Sequence, residues 1–396
     1  MDSGFQWPVA MRVAVFDYFV VDGSPSGSCV LAMLRGLADE HDFTVFSATF
    51  DNPNPARIQW VRIPVIRRPV ILLFLVYQFT ASVRFLLYRA VRRTQFDCVV
   101  AAESSFLFAD IAYIHSCRRV ILNQHFAVAG GRGARKCARW ILYSLHCALE
   151  SFVFRRAWRV VVPSQGTALD FCALYPRLAH RIEVINNAVD VGVRVGSALP
   201  ACAVRAQFGL AATDTVIIFV ALGNFEHKGL GLLIEALEQT SVASLTLLVV
   251  GGTWDAAAQY RRQAADKGLG GRVVFAGMRE RGDVLSLMRC ADVFALPSCY
   301  EAFPLVALEA ASCGLPLLVT SVHGVEDFVR DGENGWVVKR SISSIACALA
   351  VIAATDRSRL REMGEMARRS VRPYSFDAFS RKWREVLRPE VTPMAG

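Results

Sequence analysis

No two of the eleven cysteines are spaced Cys-x-x-Cys, and no His, Asp or Glu completes a metal-ligand spacing around them. Cysteines scattered in this way read as small buried hydrophobes of a reducing compartment, which excludes a disulfide framework or a structural zinc site. Asp-x-Asp, the usual bridge between a metal ion and a diphosphate, is absent too, so no metal or other cofactor is implied. No run reaches the roughly 20 apolar residues of a spanning helix. The nearest, Pro69–Val83, is ended by Arg84. The N-terminus MDSGFQWPVAMRVAVF lacks the basic start and long apolar run of a signal peptide. Sequence repeats, low-complexity tracts and nucleic-acid motifs with their proper spacing are missing as well. The expectation is a cytoplasmic protein that binds no nucleic acid.

The chain is long and rich in core-forming residues. Its 396 residues exceed one ordinary core and predict two domains. A hydrophobic content of 54% against 20% charged residues excludes intrinsic disorder. The net charge of +9 is uneven: residues 1–190 hold 21 Lys and Arg against 14 Asp and Glu, and residues 191–396 hold 23 against 21. A basic half implies an anionic partner, and here an anionic membrane surface is the expected one. Arg67–Arg93 reads RRPVILLFLVYQFTASVRFLLYRAVRR, arginines flanking and interrupting a strongly apolar stretch. As a helix it suits a membrane interface, or it packs on a sheet as an ordinary domain helix. Basic runs at Arg132–Arg139 and Arg155–Arg159 add to the expectation of peripheral attachment at the inner face of the plasma membrane.

Short apolar strands alternate with helical stretches along the whole chain, which predicts parallel sheets covered on both faces. Strands are expected at 12–20, 43–49, 58–64, 97–102 and 159–163, with a helix at about 28–40 after the first. A second cycle runs through strands at 215–222, 245–250, 273–275 and 293–296, with helices at 230–239, 255–267 and 284–290. The small-residue segment VDVGVRVGSALPA near 189–203 marks the boundary. The expected domains are 1–190 and 191–374, with 375–396 a closing helix that returns to the first domain. In such doubly wound domains ligands bind at the carboxyl edges of the strands.

The segment Pro297–Val338 carries the most chemistry. Glu301 falls in a turn before a helix, Pro304 suits the helix start, and Glu309 lies inside that helix. A helix N-terminus offers free amides to an anion, whereas two carboxylates accept hydrogen bonds from hydroxyls. A nucleotide sugar presents phosphate and hydroxyls together.

The flanking residues resemble the retaining glycosyltransferases of family 4, most strongly over Val216–Val338. EAFPLVALE is similar to that family's Glu-x7-Glu motif, set in PS-x-YE and followed by EA-x-x-x-G-x-P. The resemblance implies the GT-B fold, two Rossmann-like domains facing across a cleft, with the N-terminal domain for an acceptor and the C-terminal domain for a nucleoside-diphosphate sugar. It also implies that Glu301 meets the donor sugar and Glu309 the ribose. ALGNFEHKGLGLLIEAL resembles the family's strand–loop–helix whose Lys, here Lys228, contacts the donor diphosphate, and the amides of Phe303 and Leu305 remain available beside it. Asn224 stands in a stretch where the family commonly has an Arg; the missing cation leaves His227 or a residue elsewhere to compensate. Gly27, Gly251 and Gly277 match turns near the donor, and His115 resembles the His near the reacting carbon, with His125 a substitute. Ala188 in NAVD replaces the usual Gly, and Pro304 removes an amide that the family often supplies. The implied reaction is sugar transfer with retained anomeric configuration to a glycan or lipid-linked hydroxyl, in polysaccharide, lipopolysaccharide or glycolipid synthesis. A nucleotide-sugar epimerase, a glucan synthase or a non-catalytic sugar-nucleotide scaffold are the alternatives.

Overall fold

The computed structural model describes residues 10–66, 68–126, 133–190, 201–240 and 242–388. Most of the expected linker segment near 189–203 and part of the basic run Arg132–Arg139 lie outside the described residues, as does Arg67. The described residues form two compact units. One takes in those up to Leu122, those of 133–188 and those from Phe376 on; the other takes in 123–126 and those of Val189–Ser375.

The first unit is built on β1 (Arg12–Phe16), β3 (Asp42–Ser47), β5 (Ile58–Arg62), β6 (Cys98–Ala102), β7 (Ile111–Tyr113), β8 (Arg159–Val162) and β9 (Ile182–Val184), with β2 (Phe19–Val20) and β4 (Thr49–Phe50) paired apart from them. The order is β5-β3-β1-β6-β7-β8-β9, every pair parallel. Val13, Ala14, Val15 and Phe16 are wholly buried, as expected of parallel strands covered on both faces. The expected strand 12–20 is divided because Asp17 turns inward and its Oδ1 takes the Tyr18 amide at 2.7 Å, leaving β2 to pair elsewhere. Crossovers run leftward from β1 to β3 through α1 (Pro25–Leu37), and rightward through α2 (Val70–Arg92), α3 (Ala134–Arg156) and α4 (Gln165–Leu174). Right-handed parallel crossovers therefore put α1 on one sheet face and α2, α3 and α4 on the other. The Phe74 and His146 rings, 4.3 Å apart, join α2 to α3. The C-terminal helix Phe376–Leu387 packs on α1, its fully buried Trp383 edge-on to Tyr113 of β7 and Arg384 paired with Glu40.

The second unit carries β10 (Thr215–Val220), β11 (Leu245–Val250), β12 (Val273–Gly277), β13 (Val293–Leu296), β14 (Leu317–Thr320) and β15 (Gly335–Val338), in the parallel order β12-β11-β10-β13-β14-β15. The chain winds leftward from β10 and then restarts rightward from β13. The topological switch, where ligands bind in such sheets, therefore lies between the carboxyl ends of β10 and β13.

Candidate functional site

Beyond β10 the chain passes Asn224, held at φ +54°, into the single turn α5 (Phe225–Lys228) and on through Gly229 to α6 (Leu230–Thr240), while α7 (Trp254–Asp266) and α8 (Arg281–Cys290) follow β11 and β12. Gly229 is at φ +83°, and a Cβ there would lie 2.4 Å from the carbonyl oxygen of Pro297, at the end of β13. Two strand-end loops thus touch backbone to backbone at the switch. The contact sets Lys228 against the turn that follows β13, where its Nζ donates to Glu301 Oε1 at 2.5 Å. Ser298 Oγ donates to the same carboxylate oxygen at 2.6 Å. His227 braces the arrangement: its Nε2 lies 2.7 Å from the Tyr300 carbonyl, which can only accept, so Nδ1 receives the Cys299 thiol at 3.1 Å. Burial lowers the pKa of His227, so it is neutral and does not supply the cation missing near Asn224. Arg340 lies closer to that need. Its Nε and Nη2 hold the carbonyls of Pro297 and Glu226 at 3.2 and 2.9 Å.

After Glu301, Phe303 is buried against Phe328 and Tyr374, and Pro304 caps α9 (Leu305–Ser312). The Ala307 and Leu308 amides donate to the Pro304 carbonyl at 3.0 and 3.2 Å, so of the first-turn amides only those of Leu305 and Val306 have no acceptor within the helix. Glu309 is the fifth residue of α9, and Arg281, which opens the helix Arg281–Cys290 beyond β12, donates to it at 3.0 Å. Burial raises the carboxyl pKa of Glu309 and Arg281 opposes that rise. At the neighbouring strand ends Gly251 stands at φ +100° with its amide 2.7 Å from the Gly277 carbonyl, and a Cβ on Gly251 would meet the Ala221 carbonyl oxygen at 2.1 Å. Lys228, Glu301 and Gly251 thus follow carboxyl ends of this sheet and Gly277 closes one, with α9 leading away from it.

Residues 203–370 match the family described as glycosyl transferases group 1, and residues 26–193 match glycosyltransferase family 4. The chain belongs to this family of glycosyltransferases. It is 31% identical over 194 residues to a D-inositol 3-phosphate glycosyltransferase of Mycobacteroides abscessus, covering 48% of this chain and 42% of that one. With the Nocardia farcinica protein of the same name it shares 29% over 265 residues, covering 64% and 56%. The chain thus spans about half the length of these curated relatives. Among solved structures, WaaG, a glycosyltransferase involved in lipopolysaccharide biosynthesis, superposes with a TM-score of 0.73 at 20% identity, over 94% of this chain and 99% of the other. HepE of Anabaena in complex with UDP-glucose gives 0.69 at 20% identity, over 95% and 99%. These likenesses show the GT-B fold.

The family's motif residues in the second unit come together, whereas His115 and Gly27 belong to the first. His115 follows β7; its amide donates to Glu103 Oε1 at 3.0 Å, and its ring packs on Tyr113. Burial lowers its pKa to about 3, and Nε2 finds no partner among the described residues. Gly27 lies inside α1, where a Cβ would sit 2.1 Å from the Phe19 carbonyl oxygen, so close packing alone accounts for its lack of a side chain. Sequence reasoning missed two carboxylates at the first sheet's own switch, Asp17 after β1 and Glu103 after β6. Burial raises both, Asp17 to about 7. Glu103, at φ +54°, also takes Arg118 at 3.4 Å, and Arg118 reaches Glu150 of α3 at 3.1 Å. An acidic residue directly after a wholly apolar strand, in VAVFD and CVVAAE, is the signal that marks them.

Proposed function

We propose that this protein is a retaining glycosyltransferase that moves a hexose from a nucleoside-diphosphate sugar to a hydroxyl of a glycan or lipid-linked acceptor, in the synthesis of cell-surface polysaccharide, lipopolysaccharide or glycolipid. The observation that carries the reading is the Lys228–Glu301 pair at the topological switch, with Glu309 inside the helix that follows. Lys228 has three N–H donors and gives one to Glu301, which leaves two for a diphosphate oxygen. In this reading Glu301 orients the donor sugar and Glu309 the ribose. The bond from the anomeric carbon to the diphosphate breaks as the acceptor oxygen bonds to that carbon on the same face. The acceptor's proton leaves with a phosphate oxygen. Charge developing on the diphosphate is met by Lys228 and the first-turn amides of α9, so the scheme requires no metal. The relatives named for lipopolysaccharide and D-inositol 3-phosphate chemistry, and the UDP-glucose complex of HepE, support the substrate classes.

A thermal-shift panel of nucleoside diphosphates and nucleotide sugars tests the reading. A donor at a hundred times its Kd stabilises by ~2.7 kcal/mol through mass action, a shift of a few degrees. Silence across uridine, guanosine, adenosine and thymidine diphosphates and their sugars rejects it.

A further inference from the structure

Helix α2 presents two unlike surfaces. Phe74, Tyr77, Ala81 and Phe85 are buried against the sheet at three- and four-residue spacing. On the opposite side Leu72, Leu75, Phe79, Val83 and Leu86 form an exposed apolar stripe, with Phe79 at 72% and Leu86 at 61% exposure. At about 100° per residue, Arg84 and Arg89 fall on the two flanks of this stripe. The helix contains no acidic residue. Along the Arg84 flank, Arg84, Tyr88 and Arg92 recur every four residues and face the edge strand β5. Between them and β5 runs a groove of about 650 Å³, lined also by Trp60 and Arg62, and none of its described lining residues is acidic. On the same sheet face α3 adds Trp140 and Ile141, both half exposed.

We propose that this face docks on an anionic lipid bilayer, with the stripe of α2 among the acyl chains at the interface and the arginine groove taking a headgroup phosphate. By length and composition α2 is apolar enough to cross a membrane. It lies in the interface instead, because it is the crossover between β5 and β6 and both its ends are tied to one sheet. The flanking arginines keep their stems on apolar surface and lift their heads to the phosphates. A second copy of this chain is the poorer occupant, since a two-fold contact would set the arginines against themselves. The proposal stands on the first unit alone and is independent of the transfer reaction.

The test is co-sedimentation of the full chain with vesicles of phosphatidylcholine, with and without phosphatidylglycerol, alongside the nucleotide thermal shift. The wild type is expected to pellet with the anionic vesicles and to be released by salt. The triple change Leu75→Ser, Phe79→Ser, Leu86→Ser is expected to abolish pelleting. Arg62→Gln, Arg84→Gln, Arg92→Gln is expected to weaken it on the order of 100-fold. All these side chains are outside the core or at a groove, so melting temperature and nucleotide response should be unchanged. Pelleting equal on both vesicle types, pelleting kept by either variant, or a dimer that the serine variant dissolves with no vesicle binding each overturns the proposal. Loss of the nucleotide response with vesicle binding intact would count against the transferase reading alone.

Discussion

Lys228 and Glu301 hold one another at 2.5 Å with the lysine 24% and the glutamate 11% exposed, so the pair is poised at the edge of water. A cation held there is useful to a reaction only if negative charge grows beside it. Lys228→Met removes that charge while keeping the stem, and is expected to lower kcat on the order of 10²-fold. Glu301→Gln keeps the shape and the Ser298 contact but loses the ionic acceptor, and is expected to cut transfer by at least tenfold. Circular dichroism should show both folded. Wild-type kcat in Lys228→Met removes the lysine from the mechanism. At Glu309 the occupant of the carboxylate is Arg281, so a ribose bound there as proposed would have to share or displace it. Arg281→Gln therefore changes the donor KM with little effect on kcat, which steady-state kinetics at saturating acceptor resolve; an unchanged KM places the ribose elsewhere.

The element that sets the pair in place is the loop contact between β10 and β13, and its weak point is Gly229. Alanine there adds the left-handed strain of ~1–2 kcal/mol. It also drives a methyl into the Pro297 carbonyl, which a Cβ would approach at 2.4 Å. Gly209, at φ +66° with nothing within 4 Å of its Cβ, carries the strain without the clash. Gly209→Ala and Gly229→Ala should both lower stability in urea, but only the second should also abolish the nucleotide thermal shift. Matching losses in both variants mean that the contact does not position Lys228. At this scale much was legible in sequence. The strands Leu245–Val250 and Val293–Leu296 and the helix Phe376–Leu387 fall where their apolar runs and periodicity put them. The three-residue strand β9 escaped notice because so short a run has no period to read. The partners of the site residues escaped for another reason. Arg281 on Glu309, Arg340 on Pro297 and Arg118 on Glu103 are brought together by winding, and no local pattern announces a pair made across a sheet.

For the whole molecule, the buried ionisable groups of the first unit pull stability in opposite directions with pH. Asp17 is raised to about 7 by burial. The native state therefore holds this proton more tightly than the unfolded chain, and its contribution to stability falls as pH rises from about 4 to about 7. His115 and His146 are lowered to about 3 by burial, so the unfolded chain takes up their protons first. Their contribution falls instead as pH drops from about 6.5 towards 3. Between pH 5 and 7 the carboxylate partly masks the acid sensitivity of the two histidines. Asp17→Asn removes that mask. Its stability should rise more steeply from pH 5 to pH 7.5 than the wild type's does, by up to ~3 kcal/mol in denaturant melts. Replacing His146, whose ring packs tilted against Phe74 and which bonds Ser104 at 3.0 Å, costs packing as well, so the aspartate is the cleaner probe. Parallel pH profiles for wild type and Asp17→Asn mean that Asp17 is ionised and solvated in the native protein. A carboxyl group that stays protonated below pH 7 at the first sheet's switch point is then no longer part of the architecture.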